Sequence, residues 1–310
     1  MTGGGLLVIG DVVTDVVARH GEPLVHGTDT AARIRTLPGG AGANVACWAA
    51  RSGCSDVRLL ARVGADSADW HREALRRAGV RCLLAVDEQA PTATVVALVD
   101  SAAERTFLTD SGAVLRLSPA DWSPSMLDGV VHLHLSGYLL FAATSRATAL
   151  LALREARRRR IAVSVDPASA GFLAELGADR FLAAVEGAAL LLPNADEARL
   201  LTGLPEPADA AAKLSRQAGR VVVTLGEGGA LLAAGATVVR HVPAVQVSGA
   251  VDSTGAGDAF TGGFLAARLA GADDVTATAA GCRAGAEAVT VVGGRPGPLP
   301  GPGDAGAPFP

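Results

Sequence analysis

The sequence predicts an α/β protein in which helices flank both faces of a mostly parallel sheet. Short apolar runs rich in β-branched residues alternate with longer segments of helical periodicity along the 310 residues. This alternation is typical of parallel strands connected by helices, and such sheets bind ligands at the carboxyl ends of their strands. With 49% hydrophobic and 19% charged residues, the chain can bury the core of one large domain or of two smaller ones.

The main sheet is predicted from six apolar runs. They cover residues 6–9, 57–63, 130–135, 161–165, 189–192 and 221–225. Helices are predicted over residues 67–78, 144–160 and 207–218, between these strands. His132 and His134 share one face of the strand 130–135. A metal-ligand pair and hydrogen-bonded strand histidines are the alternatives, and the lack of a third ligand type nearby favours the second.

A second, smaller sheet is predicted from four extended segments. Residues 92–100 and 104–109 are separated by the turn SAA, which indicates a hairpin. Together with residues 11–17 and 33–37, this hairpin can form a small antiparallel sheet that stands off the main domain. Residues 298–310 are rich in glycine and proline, so we expect a disordered tail.

A glycine-rich turn opens a helix in the segment AVDSTGAGDAFTGGF at residues 250–264. The N–H groups of Gly255, Ala256 and Gly257, with the helix dipole behind them, can hold the oxygens of a phosphoryl group. Asp258 cannot bind phosphate, because like charges repel, but it can accept the proton of a hydroxyl that attacks phosphorus. A helix cap is the alternative role. Two further glycines inside the helix indicate close packing or a ligand constraint.

An earlier glycine-rich turn, PGGAGANVACWAA at residues 38–50, also leads into a helix. Gly39 and Gly40 can let the backbone approach a sugar while the amide of Asn44 binds its hydroxyls, and a loop with a helix cap is the alternative. Asp11 and Asp15 follow the first strand, where a carboxylate can accept two hydrogen bonds from neighbouring hydroxyls. These residues predict a site for a hydroxylated molecule.

Residues 251–262 resemble, nearly letter for letter, the C-terminal signature of the ribokinase-like (PfkB) carbohydrate kinase family, and residues 38–50 match its N-terminal signature GGxxAN. The resemblance implies a three-layer ribokinase-like kinase domain over residues 1–297. The small sheet, with strands inserted at about 11–17, 33–37 and 92–109, would be a lid over the substrate and a candidate homodimer contact. The family's sugar-binding aspartate corresponds to Asp15, five residues after Gly10, so Asp11 is the weaker candidate.

The resemblance also implies nucleotide-binding residues. Asn194 and Glu197 reproduce the NxxE element, in which the asparagine lies near the nucleotide phosphates and the glutamate organises Mg²⁺ through water. A helix cap is their alternative role. Thr224, Gly226 and Gly229 would border the ATP site, and a hairpin turn is the alternative.

One further aspartate carries an implied cation site. In the family, the residue matching Asp252 often helps to coordinate a potassium ion together with backbone oxygens from near the C-terminus. Gly297 stands where ribokinases usually supply a serine hydroxyl, which argues against potassium activation in this chain.

These observations and the resemblance predict an ATP- and Mg²⁺-dependent kinase that phosphorylates a primary hydroxyl of a small sugar, ribose-like or a related carbohydrate. A nucleoside kinase of the same family and a non-catalytic sugar- or nucleotide-sensing relative are the alternatives. No Walker A motif is present, and the first strand lacks the GxGxxG of a nicotinamide oxidoreductase. The net charge of −4 gives no reason to expect nucleic acid, and no apolar stretch reaches the ~18 residues of a membrane span. Four scattered cysteines suggest the cytoplasm.

Overall fold

The computed structural model describes residues 4–101 and 105–297. These residues form two sheets, and helices cover the larger one. The strands are β1 (Gly5–Ile9), β2 (Val13–His20), β3 (Ala32–Gly39), β4 (Val57–Gly64), β5 (Val80–Asp87), β6 (Ala93–Val99), β7 (Arg105–Asp110), β8 (Val130–Ser136), β9 (Ala162–Asp166), β10 (Leu190–Leu191), β11 (Arg220–Thr224), β12 (Ala230–Ala234) and β13 (Thr237–Val242). The helices are α1 (Ala41–Arg51), α2 (Ala68–Arg77), α3 (Ala143–Arg158), α4 (Ala170–Leu176), α5 (Ala178–Ala184), α6 (Ala195–Thr202), α7 (Pro207–Leu214), α8 (Ala256–Leu269) and α9 (Asp274–Ala288).

The larger sheet is mostly parallel, as the sequence predicts. Within the described residues its strand order is β13-β12-β11-β10-β9-β8-β1-β4-β5. The strands from β11 to β5 pair in parallel, and β12 and β13 pair antiparallel at one edge. Each of the six predicted strands is present, with ends within one residue of the prediction.

Three strands of this sheet, β5, β12 and β13, are not among the six predicted runs, and two of them, β5 and β13, are its edges. Edge strands are partly exposed, so their sequences lack the continuous apolar runs that identify a buried parallel strand. In β13 most positions are exposed, and in β5 most are exposed or half-buried. The turn at 224–230 joins the antiparallel strands β11 and β12, so the alternative of a hairpin turn is correct.

The smaller sheet has the order β3-β2-β6-β7. The β6–β7 pairing is antiparallel, which confirms the predicted hairpin. The expectation of a fully antiparallel sheet is wrong, because β2 and β6 pair in parallel. Their connection passes through the main domain, so the two strands can run in the same direction. Residue 104 of the predicted hairpin and the predicted tail 298–310 lie outside the described residues.

Two hydrophobic clusters fill the space on the two faces of the main sheet. One cluster joins the sheet to α3, α5, α6 and α7, with Leu133 and Phe181 fully buried. The other joins it to α1, α8 and α9, with Val8 and Phe264 fully buried. The domain therefore has three layers, in which helices cover both sheet faces.

The histidines of β8 are buried and bonded to one serine. Nε2 of His132 lies 2.8 Å from Ser164 Oγ, and Nδ1 of His134 lies 2.9 Å from the same atom. Burial lowers their pKa values to about 4 and about 3, so both rings are neutral at pH 7. Among the described residues no cluster of three or more side chains could hold a metal ion. This arrangement confirms hydrogen-bonded strand histidines.

Helix α8 packs closely against two neighbouring helices through paired glycines. A β-carbon at Gly262 would lie 2.7 Å from Trp48 Cβ and 2.8 Å from Val45 O, both in α1. A β-carbon at Gly263 would lie 2.7 Å from Ala284 Cβ in α9. The glycines inside the predicted helix therefore permit close packing of the backbone, which is one of the two explanations that the sequence suggested.

We expect Gly262→Ala to destabilise the fold by about 1–3 kcal/mol, because the new methyl group meets backbone atoms that cannot yield. The free energy of unfolding from chemical denaturation measures this loss. Gly171→Ala in α4 is the matched control, since a β-carbon there has no contact closer than Ser169 Oγ at 3.8 Å. A Gly262→Ala variant as stable as the wild type would contradict the packing argument.

Candidate active site

The polar residues predicted to be functional gather at the carboxyl edge of the main sheet. Of the predicted residues, Asp11 follows β1 and Thr224 ends β11. Asp166, which the sequence analysis did not identify, ends β9 at the same edge. Neighbouring parallel strands place their carboxyl ends at the same edge, where ligands of such sheets bind.

Two cavities lie at this edge, and the turn Gly255–Gly257 borders both. The Asp258 cavity has a volume of about 620 Å³ and is lined in part by Gly255 and Asp258. The Thr224 cavity has a volume of about 390 Å³ and is lined in part by Ala256 and Gly257. Both volumes fall within the roughly 300–1,000 Å³ of small-molecule sites. One short turn therefore contacts the spaces for two different molecules.

The turn has a conformation that only glycine adopts readily. Helix α8 begins at Ala256, after Gly255 in the left-handed region with φ of 73°. A β-carbon at Gly255 would also lie 2.5 Å from Gly294 Cα. The Ala256 N–H donates to Ser253 O at 3.3 Å, a long bond that leaves this amide weakly held. The N-terminus of α8 thus presents its positive dipole end beside both cavities.

Asp258 lies in the first turn of α8, half-buried in the wall of its cavity. Its Oδ2 accepts a hydrogen bond of 2.8 Å from Asn44 Nδ2. Burial raises the pKa of Asp258 well above its usual value, and the nearby carboxylates of Asp166, Asp11 and Asp15 raise it further. The carboxylate is consequently a stronger base than an exposed aspartate.

Asn44 connects the two glycine-rich turns. It lies in the first turn of α1, the helix that begins directly after Gly40, and its side chain lines the Asp258 cavity. Its amide nitrogen binds Asp258, and its Oδ1 is buried without a partner among the described residues. This oxygen can still accept a hydrogen bond from a ligand hydroxyl, so the predicted contact with a substrate stays a prediction.

Asp11 has a structural role that the sequence analysis did not identify. Its carboxylate accepts hydrogen bonds from Ala41 N at 2.7 Å and Gly42 N at 3.1 Å, at the N-terminus of α1. Ser136 Oγ donates to it at 2.9 Å from the end of β8. Asp11 therefore holds the second glycine-rich turn in place and leaves fewer lone pairs for a ligand.

Asp15 lies on the smaller sheet and faces the Asp258 cavity. Burial raises its pKa to about 6, while Arg295 lowers it and Asp11 and Asp252 raise it. A β-carbon at Gly39 would clash with the Asp15 carboxylate, so this glycine allows the side chain to lie against the turn. Asp15 thus lines the cavity, and Gly39 lies buried directly behind its carboxylate.

Arg295 is a cation that the sequence analysis did not identify. Its Nη2 donates to Gly39 O at 3.0 Å, and its Nε and Nη1 are buried without partners among the described residues. Burial lowers the pKa of its guanidinium. The preceding residue, Gly294, accepts a hydrogen bond of 2.9 Å from Trp48 Nε1. The segment 293–295 thus fixes a positive charge beneath the turn that carries Gly39.

The predicted nucleotide residues border the other cavity or adjoin it. Thr224, Gly226 and Gly229 line the Thr224 cavity. Asn194 pairs with Thr224 in an isolated parallel bridge. Asn194 and Glu197 form a reciprocal capping box with two bonds of 2.9 Å, so their alternative role as a cap is present.

Glu197 and Asp166 form a pair of buried acids. Burial raises the pKa of both carboxyl groups, and Asp166 raises that of Glu197 further. Asp166 accepts hydrogen bonds from Ala168 N at 2.8 Å and from Thr261 Oγ1, in α8, at 3.4 Å. A cation would relieve the repulsion between these groups, and oxygen ligands suit Mg²⁺, which keeps several waters.

Asp252 joins the start of the glycine-rich turn to the C-terminal segment. Its Oδ1 accepts from Thr254 N and its Oδ2 from Gly293 N, each at 2.9 Å. These two hydrogen bonds compensate for the loss of water around the buried Asp252 carboxylate. A role for Asp252 with a monovalent cation stays a prediction.

The sequence analysis did not identify Asp166 or Arg295 as residues of this site, although the sequence contained a signal for Asp166. Asp166 directly follows the predicted strand 161–165, as Asp11 follows the first strand, so the same reasoning would have identified it. Arg295 had no such signal, because nothing in its local sequence connects it to Gly39, 256 positions earlier.

A carboxylate and a helix N-terminus between two cavities, at the carboxyl edge of an α/β sheet, suit phosphoryl transfer between two bound molecules. A family model described as pfkB family carbohydrate kinase matches residues 5–301. The chain therefore belongs to the pfkB family of carbohydrate kinases and is an ATP-dependent phosphotransferase.

Individual relatives agree with this assignment. The chain is 34% identical over 275 residues to a fructokinase from Klebsiella pneumoniae, covering 85% of this chain and 84% of that protein. Its fold is similar to that of an Escherichia coli protein described as a ribokinase II and solved with ATP and Mg²⁺, with a TM-score of 0.82, 25% identity and 94% of each chain covered. An adenosine kinase from Sinorhizobium meliloti has a TM-score of 0.86 at 23% identity, covering 95% of this chain and 96% of that one, which supports the fold.

We expect Arg295→Met to move the acid limb of kcat/KM for the acceptor to higher pH. In the wild type, lowering the pH through about 6 protonates Asp15, and loss of the adjacent positive charge raises that pKa further. A coupled assay of ADP release between pH 5 and 9, with the best acceptor from a sugar and nucleoside panel, measures the limb.

The controls separate charge from structure. Arg295→Lys keeps the charge and should restore most of the wild-type profile, whereas Arg283→Met removes an exposed cation of α9 and should change nothing. The charged groups acting on Asp15 are Arg295, Asp11 and Asp252. An unshifted limb in Arg295→Met would show that Arg295 does not control Asp15.

Proposed function

We propose that the chain transfers the γ-phosphoryl group of ATP to a primary hydroxyl of a sugar, or of a sugar moiety, bound in the Asp258 cavity. The observation that carries this proposal is the position of Asp258. Its carboxylate faces one cavity from the first turn of α8, and the preceding turn borders the other cavity. A base, an acceptor hydroxyl and a terminal phosphate can therefore meet at one point.

Each part of the site has a role in the proposed reaction. Asp15 and Asn44, with the backbone at Gly39 and Gly40, would bind the sugar hydroxyls. The acceptor oxygen attacks the γ-phosphorus, its proton passes to Asp258, and the bond to ADP breaks. The amides of residues 255–257 would stabilise the charge on the transferred group. Asn194, Thr224, Gly226 and Gly229 would lie along the nucleotide.

The family uses ATP and Mg²⁺, and the described residues fit both. In the proposal, Glu197 and Asp166 would hold Mg²⁺ through water, and the ion would supply positive charge that stabilises the transferred phosphoryl group. The buried carboxyl pair, with both pKa values raised, supports this placement. Potassium is not part of the proposal, since Asp252 already has backbone partners.

The acceptor has two candidates, a free sugar and a nucleoside. Aromatic side chains that line the Asp258 cavity favour the nucleoside, because they can stack on its base. The non-catalytic alternative is not supported, because the chain belongs to an enzyme family and keeps the carboxylate.

The described part of the chain contains no helix with the length and apolar character of a membrane span. Four free cysteines support a place in the cytoplasm.

We further propose that two copies of the chain pair through the outer face of the smaller sheet. Ile34 pairs with Ala18, and Leu108 pairs with Val96, on the face that points away from the Asp258 cavity. Ile34 is 65% exposed and Leu108 58% exposed. Burying such a surface against a second copy would remove apolar area from water.

Asp258→Asn should lower kcat by at least about 10²-fold with little change in nucleotide binding, because the amide cannot accept the proton. Steady-state ADP release and ATP binding by calorimetry measure the two effects. Asp179→Asn, the same change in the first turn of α5, is the control and should keep full activity. A near-wild-type rate in Asp258→Asn would remove this residue from the mechanism.

The dimer is tested by the double substitution Ile34→Glu and Leu108→Glu. Sedimentation velocity should show a dimer for the wild type and a monomer for the variant, because two carboxylates cannot be buried in an apolar interface. Val239→Glu, on an exposed position of β13, should stay dimeric. A wild-type protein that is monomeric at micromolar concentration would contradict the proposal.

A further inference from the structure

Aromatic side chains are concentrated in the lining of the Asp258 cavity. The chain has three tryptophans, one tyrosine and seven phenylalanines. The lining of this single cavity includes the tyrosine and three of the phenylalanines, namely Phe107, Tyr138, Phe141 and Phe172. Aromatic residues make up only 4% of this protein, and a large share of them line this one cavity.

Three of these rings form a continuous aromatic wall, Tyr138, Phe141 and Phe172. The rings of Phe141 and Phe172 stack with centroids 5.0 Å apart, and Tyr138 meets Phe172 edge to face at 5.7 Å. Phe141 and Phe172 are half-buried, so part of each ring is open to the cavity. The wall is built from separate elements, the turn after β8 and helix α4, which hold it in place.

The smaller sheet supplies the facing surface in two rows of side chains. In one row Asp15, Val95 and Thr109 lie opposite one another, and in the next row Val17, Ala97 and Phe107 do so. All six side chains line the Asp258 cavity. The rows are two residues apart along the strands, about 7 Å. A carboxylate that can bind sugar hydroxyls is therefore followed directly by an apolar row ending in an aromatic ring.

We infer that the acceptor is a nucleoside, a sugar whose anomeric carbon carries a planar aromatic base. This inference rests on the proposed function and names its substrate class. The sugar would lie at the polar end, beside Asp15, Asn44 and Asp258, and the base would lie between the aromatic wall and the row that contains Phe107. Aromatic rings can stack on the flat face of any nucleobase, so this contact does not depend on which base the nucleoside carries.

A free pentose or hexose does not account for this cavity. Its hydroxyls need polar partners, and the apolar end offers rings and aliphatic side chains that cannot supply enough of them. Burial raises the pKa of Tyr138, and the nearby carboxylates of Asp11 and Asp258 raise it further, so its hydroxyl stays protonated. It can donate one hydrogen bond near the point where the sugar and the base are joined. Recognition of a planar group explains both the stacked rings and this single donor.

The test compares kcat/KM for D-ribose, D-fructose, adenosine and uridine, measured by ADP release with saturating ATP and Mg²⁺. We expect at least one nucleoside to exceed both free sugars by at least about 5-fold, the factor that corresponds to the lower end of base stacking on an aromatic ring. Phe172→Leu, which keeps the apolar volume and removes the ring, should cancel this advantage. Phe172→Tyr restores a ring and should restore the preference.

The outcomes separate the inference from the function on which it rests. Free sugars that match or exceed every nucleoside would overturn the inference and leave the kinase assignment intact. Nucleoside turnover that is unaffected by Phe172→Leu would overturn the role of the wall. No turnover of any of the four compounds, with ATP binding retained, would overturn both. Trp70→Leu, on the exposed side of α2, controls for general effects of losing an aromatic side chain.

Discussion

The hydrogen bond between Asn44 and Asp258 is the contact on which the site depends. It joins the first turns of α1 and α8, which are 214 positions apart in the chain. Gly262 lets the two helices approach to backbone contact, and this close approach supports the bond. With these helices in place, two glycine-rich turns that are unrelated along the chain border one reaction space.

The gathering of carboxylates at this edge is the second constraint. Asp11, Asp15, Asp166, Glu197 and Asp258 all lie there, and burial raises the pKa of the last four. Such a cluster is unfavourable unless it is compensated. The compensation comes from helix N-termini, which bind Asp11 and stand behind Asp258, from the cation of Arg295, and from the divalent ion that the family uses.

The smaller sheet has two different faces. Its inner face carries Asp15 and, in the next row, apolar side chains, all of which line the Asp258 cavity. Its outer face leaves Ile34 and Leu108 exposed. In the proposed function, this mixed sheet of four strands within the described residues would select the substrate on one side and pair with a second copy on the other.

The sequence by itself determined the parallel sheet, the hairpin of the smaller sheet, both glycine-rich turns and the residues around them. These are local signals: apolar runs mark buried strands, and a cluster of glycines before a helical segment marks the turn that opens the helix. Only the tertiary structure decided that Asn44 binds Asp258, that Asp11 caps α1, that Arg295 reaches Gly39, and that the scattered aromatic residues form one wall. It also decided the edge strands β5 and β13, whose exposed positions carry no apolar run. The reason is physical: contacts between residues far apart in the chain depend on how helices and strands pack, and no short window of sequence records that packing.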